Sequence, residues 1–115
     1  MTRDYLVYVD DILEAIEKID KYTRGMSLKD LSGNEMAIDA IVRNFEVIGE
    51  ATKHIPENIR KKYPGIPWKI MAGMRDILIH EYFGVNTEVL WKTVKEDLPD
   101  ITPQIQVLLR DLDKK

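Results

Sequence analysis

Asn34–His54 reads NEMAIDAIVRNFEVIGEATKH. Ile38, Ile41, Phe45 and Ile48 recur at three- and four-residue spacing, which is the period of one helical face. Asp39, Arg43, Glu46, Glu50 and Lys53 form a polar stripe on the same segment. Asn34 is a favourable N-cap, and Glu35 suits the positive end of the helix dipole. The stretch therefore predicts an amphipathic helix ending near His54. The polar stripe reads either as a solvated face laced with i,i+3 and i,i+4 pairs or as the wall of a cleft. Gly49 costs about 1 kcal/mol relative to alanine inside a helix. Close approach of a second helix is one reason to keep it.

The same period recurs on both sides. Tyr5, Val9, Ile12, Ile16 and Ile19 predict a helix over 4–22, stopped at Gly25. Ser27–Asn34 reads as a connection, with Ser27-Leu28-Lys29-Asp30 able to open a short turn. Pro56–Lys62 reads as a short helix with Pro56 at its first position. Tyr63-Pro64-Gly65-Ile66-Pro67 is a rigid break. A further helix is expected over Pro67–His80, with Trp68, Met71, Met74 and Leu78 facing inward, then a turn at Phe83–Asn86. Thr87 is the expected cap of the next helix, which buries Leu90, Trp91, Val94 and Leu98 and which Pro99 interrupts. Ile101, Ile105, Leu108 and Leu112 line a last helix. No strand pattern or repeat intervenes. The expected fold is all-α: an antiparallel up-and-down bundle of four long helices plus short ones, forming a single domain over residues 1–115.

Composition narrows the function classes. The 115 residues contain no cysteine, so neither a disulfide framework nor a thiolate zinc site is available. With only two histidines, no metal site and no cofactor are expected. No apolar run approaches the roughly 20 residues that span a bilayer, and the first residues lack a signal-peptide pattern. Cytoplasm is the expected location, with no membrane association. The net charge of −3 does not itself advertise nucleic acid. Its distribution is more telling. Residues 43–75 carry Arg43, Lys53, Arg60, Lys61, Lys62, Lys69 and Arg75 against Glu46, Glu50 and Glu57. Those cations are either a solvated face or a surface for nucleic acid.

Immediately beyond lies Met74–Gly84, MRDILIHEYFG. Asp76 precedes His80 by four residues, close enough on one helical face to orient the imidazole. Arg75 supplies a permanent planar cation suited to phosphate. Five residues separate Arg75 from His80, about 140° around a helix axis. They meet over one substrate only if the helix ends near His80 or a second copy of the chain completes the site. Taken singly, each has a plain structural reading: a surface salt bridge for Arg75, an ordinary helix acid for Asp76, a helix-end residue for His80 and a partly buried aromatic for Tyr82. His54 has no partner at useful spacing and reads as structural or exposed.

Arg75-Asp76-(x)3-His80-x-Tyr82 resembles the Arg-(x)4-His-x-Tyr signature of HepT-type HEPN proteins. The resemblance extends through Arg43–Ala51, Tyr63–Trp68, Tyr82–Val85 and Trp91, and covers roughly residues 4–112. It implies a HEPN-like helical fold and a metal-independent endoribonuclease toxin. Arg75, His80 and Asp76 would be its catalytic residues, at a site assembled by a homodimer. It also implies a partner, an MntA-type minimal nucleotidyltransferase antitoxin that transfers AMP to Tyr82. The alternative within the same superfamily is a non-catalytic module that binds a nucleotide or the nucleotidyltransferase.

Overall fold

A computed structural model describes residues 2–80 and 86–113, and the side chains within 5–75 and 86–112. The described residues are helical wherever they are regular. The long helices are α1 (Thr2–Thr23), α3 (Glu35–Lys53), α5 (Trp68–His80) and α7 (Leu98–Asp113); α2 (Leu28–Ser32), α4 (Glu57–Lys62) and α6 (Thr87–Lys92) are short. Helix α3 packs between α1 and α5, and α1 also packs on α7. The expected bundle of four long helices is the observed one.

The apolar stripes meet as the period predicts. Val9, Ile12, Ile16 and Ile19 of α1, Ile41, Phe45 and Ile48 of α3, and Met71 and Met74 of α5 are buried with Ile101, Ile105, Leu108 and Leu112 of α7. Tyr5 and Ile38 lie at the edge of this core, half-buried. Burying such side chains is the main favourable term in the fold, roughly 1.5–3 kcal/mol for each large one. The buried hydroxyls of Thr23 and Thr52 are satisfied within their own helices, donating to the carbonyls of Ile19 and Ile48.

Local signals set most boundaries. Gly25 adopts φ +79° just past α1, a conformation that costs glycine little. Ser27 and Asp30 form a reciprocal capping box, with bonds of 3.1 and 3.0 Å, so the expected turn becomes a full short helix. The Asn34 side chain accepts from the Ala37 N–H at 3.0 Å. Pro56 and Pro67 each sit one residue before the helix they were expected to begin.

Two expectations are corrected. Asn86, not Thr87, caps α6: its side-chain oxygen accepts from the N–H groups of Glu88 and Val89 at 3.0 and 3.3 Å, and Thr87 is already helical. Pro99 does not interrupt the chain's last helical run. A π-helical turn at Thr93–Asp97 joins α6 to α7 without a gap, and the Leu98 N–H donates to the carbonyl of Thr93, five residues back. The wider turn accommodates a ring that would clash with the carbonyl four residues back in a regular α-helix.

The break after α4 is pinned from two sides. The Trp68 indole N–H donates to the carbonyls of Arg60 and Tyr63 at 3.2 and 3.0 Å, and the Tyr63 hydroxyl donates to Asp111 of α7 at 2.8 Å. Burial, then the hydrogen bond to Asp111, then the charge of Asp111 raise the pKa of Tyr63 above the ordinary tyrosine value. The folded state therefore favours the neutral phenol. Its stabilisation is fully present below about pH 10 and is lost as pH rises through the raised value. Tyr63→Phe is expected to cost about 0.5–1 kcal/mol near neutrality. Thermal melts of both proteins should converge as pH rises through the raised value, and a gap independent of pH would contradict the assignment.

Candidate functional site

The site begins at a glycine. A Cβ built on Gly49 would lie 2.8 Å from Cβ of Arg75, 2.9 Å from its backbone N and 3.3 Å from the Ala72 carbonyl oxygen. Helices α3 and α5 therefore approach closely where Gly49 faces Arg75. The close approach anticipated for Gly49 is real, and it fixes the origin of the Arg75 side chain.

From there Arg75 reaches the next residue of α3. Its Nη1 lies 2.6 Å from Oε2 of Glu50, and the two side chains are 42% and 52% exposed. The pair is accessible, so its worth to stability is small, about 0–1 kcal/mol. Its structural consequence is orientation, because a charge-assisted contact selects one direction for a flexible side chain. The other Glu50 oxygen, Oε1, lies 3.6 Å from Nε2 of His54. His54 in turn stacks on Tyr8 of α1, with ring centroids 4.6 Å apart and planes inclined by 12°. His54 thus has two partners, which corrects its reading as a residue without one; Glu50 is only one helical turn before it.

These groups line a groove of about 360 Å3 on the α1–α3–α5 side of the bundle. Arg43 and Arg75 are its cations and Asp11, Glu46 and Glu50 its carboxylates, with Val47 and Ala51 on its floor. Arg43 is 3.6 Å from Glu46. Beyond His54 lies a shallower hollow of about 680 Å3, lined by Lys53, Arg60 and Lys61 with Pro56 and Pro64. Arg60 is partly committed to the backbone: its Nε and Nη2 donate to the carbonyls of Ile55 and Thr52 at 3.0 and 2.8 Å, closing the C-terminal end of α3. Lys61 lies 3.6 Å from Glu57. Lys62 and Lys69 are exposed and line neither hollow.

Of the motif residues, Arg75 is described in full. Asp76 and His80 are placed by their backbone within α5, and their side chains lie outside the described residues, as does all of Tyr82. With α5 helical from Trp68 to His80, His80 sits about 140° around the axis from Arg75. Sequence reasoning missed Glu50 as the partner of Arg75 and Tyr8 as the partner of His54. Glu50 stands 25 positions away and Tyr8 belongs to another helix, so no local spacing joined them.

The sequence matches the family described as Ribonuclease HepT-like over residues 12–108. The chain belongs to this family. A Thermococcus cleftensis protein named "Probable ribonuclease HepT" is 46% identical over 108 residues, covering 94% of this chain and 98% of that one. A Methanocaldococcus jannaschii protein named "Putative RNase" is 43% identical over 113 residues, covering 98% and 93%. Another from the same organism, named as a gamma-glutamylcyclotransferase and putative RNase, is 43% identical over 114 residues; the match covers 99% of this chain and 51% of that protein. No solved structure matches. Among the described residues, no helix is long and apolar enough to cross a membrane. The HepT-like family and the all-α bundle thus agree with the resemblance carried by the motif.

Proposed function

We propose that this HepT-like chain is a metal-independent endoribonuclease that acts as the toxin of a toxin–antitoxin pair. The observation that carries the reading is Arg75: a family arginine, seated at the α3–α5 crossing and oriented over an open groove. RNA supplies its own nucleophile, the 2′-hydroxyl. Arg75 binds the scissile phosphate and stabilises the charge that develops on its oxygens. His80 moves the proton, taking it from the 2′-hydroxyl or giving it to the leaving 5′-oxygen. The products are a 2′,3′-cyclic phosphate and a 5′-hydroxyl. One histidine does not readily serve as acid and base in the same step. A homodimer supplies Arg75 and His80 twice, and two-fold symmetry brings both sets to one interface. The separation of the two positions around α5 calls either for that arrangement or for α5 to end near His80. Asp76 orients His80, and the cations Arg43, Lys53, Arg60, Lys61, Lys62 and Lys69 contribute the surface for the RNA backbone.

Control falls to Tyr82 and an MntA-type nucleotidyltransferase antitoxin. The phenolic oxygen attacks the α-phosphorus of ATP, the bond to the β-phosphate bridging oxygen breaks, and pyrophosphate leaves. The AMP then adds bulk and negative charge beside Arg75 and His80, which excludes RNA.

The test is incubation of the purified protein with total cellular RNA in EDTA, beside His80→Ala, with end-group analysis of the fragments. The expected result is cleavage by the wild type alone, leaving cyclic phosphate ends. A folded wild-type protein, unmodified at Tyr82, that leaves RNA intact would instead indicate a binding module. For Tyr82, mass spectrometry after exposure to the nucleotidyltransferase and ATP should find AMP on that tyrosine together with lost cleavage. Labelling elsewhere with Tyr82 bare would refute the modification site.

A further inference from the structure

Tyr8 and His54 meet in parallel where the groove at Arg75 adjoins the basic hollow. His54 lines both depressions. Its side chain is 49% exposed, while Tyr8 is partly buried against the core, so the accessible ring of the pair is that of His54. On one side of it stand Arg43 and Arg75, on the other Arg60 and Lys61. Glu50 contacts both Arg75 and His54, so the guanidinium and the ring lie on one stretch of the groove in the free chain.

We propose that the stacked pair Tyr8–His54 is a platform for one unpaired RNA base, with the flanking phosphates held at Arg75 and Arg43 on one side and at Lys61 on the other. The proposal rests on the ribonuclease reading and names the part of the substrate that the groove takes. Sequence-tolerant binding of single strands combines cations that track the backbone with ring faces on which bases stack. That interleaving of ring and cation is what the two depressions present. A base extending an existing two-ring stack gains contact without reorganising it, because the rings are already parallel. The carboxylates do not argue against RNA. Glu50, Glu46 and Glu57 pair with Arg75, Arg43 and Lys61 in the free chain, and a phosphate takes their place on binding. A ligand offering charge alone gains little from that exchange, whereas one that also stacks gains the ring contact. The platform therefore selects unpaired nucleotides over simple anions and over duplex, whose bases are already stacked.

The test uses a fluorescein-labelled, single-stranded 2′-O-methyl oligonucleotide, which lacks the attacking hydroxyl and is not cut. Its Kd is read by anisotropy at low salt. His54→Ala is expected to weaken binding about tenfold, within the range that loss of one base–aromatic stack produces. His54→Phe, which keeps a ring face and loses the ring nitrogens, should restore binding. Circular dichroism melts confirm that each variant is folded, and Tyr8→Phe beside Tyr8→Ala repeats the comparison on α1. Binding by His54→Ala equal to the wild type overturns the platform. So does a phenylalanine variant as weak as the alanine one, because the ring face would then not be what matters. Wild-type cleavage of the matching 2′-hydroxyl strand is measured alongside. Cleavage with binding unchanged in His54→Ala overturns the platform and leaves the ribonuclease reading intact. Absence of both binding and cleavage in the wild type overturns both.

Discussion

His80→Ala is expected to lower the rate of RNA cleavage by about 100- to 10,000-fold, the range that a positioned general acid or base contributes. Arg75→Ala should fall in a similar range, through loss of phosphate binding and of charge stabilisation as the P–O bond breaks. The two effects should combine less than multiplicatively, because both residues act on one transition state. Folding should not confound the Arg75 result. The carboxylate it reaches is that of the half-exposed Glu50, and such pairs are worth about 0–1 kcal/mol. Thermal melts of Arg75→Ala should therefore stay close to the wild type while single-turnover cleavage collapses. A variant that melts normally and cleaves within tenfold of the wild type would remove Arg75 from the chemistry. Arg75→Lys sharpens the test. It keeps the charge but loses the planar fork that can engage two phosphate oxygens, so it should recover only part of the rate.

The fold was legible because its determinants are local and repeated. The stripe Ile41, Phe45, Ile48 and its counterparts on α1 and α7 needed only the helical period, and the same residues are buried. The caps at Ser27 and Asn34 were legible because each bond spans three residues. Asn86 and Thr87 are both good caps side by side, and the difference between them is one residue of register. The π-helical turn at Thr93–Asp97 was hidden because proline normally marks a stop, and only the continuous rod shows how Pro99 is accommodated. The candidate site divides the same way. Arg75 stood out by its motif, and Glu50 to His54 is a helical spacing that was open to view and overlooked. Glu50 to Arg75 and Tyr8 to His54 join different helices, and they follow only once α3 is seen between α1 and α5. Asp76, His80 and Tyr82 remain assigned by the motif.

Gly49 links that packing to the chemistry, and its replacement has the largest expected effect on the fold. Alanine gains about 1 kcal/mol of helix propensity at an interior helical position. At Gly49 the added methyl group meets Cβ and the backbone N of Arg75 at 2.8 and 2.9 Å, and the carbonyl of Ala72 at 3.3 Å. Two of those three atoms are backbone, so no side-chain rotation relieves the contact; α3 and α5 must separate. Overpacking of this kind costs about 1–3 kcal/mol, which outweighs the propensity gain. Gly49→Val adds a branched Cβ to the same collision and should cost about 3 kcal/mol or more, a sizeable share of the roughly 5–15 kcal/mol by which a domain is stable. Gly73, inside α5, is the internal control, because among the described residues a Cβ there meets nothing within 4 Å. Gly73→Ala should therefore raise the melting temperature, by the several degrees that about 1 kcal/mol produces, while Gly49→Ala lowers it. Cleavage separates the two further. Moving α5 away from α3 carries Arg75 from Glu50 and from the groove, so Gly49→Ala should lose activity well below its melting temperature. A Gly49→Ala protein that melts above the wild type and cleaves normally would mean that the close crossing at Arg75 constrains neither the fold nor the site.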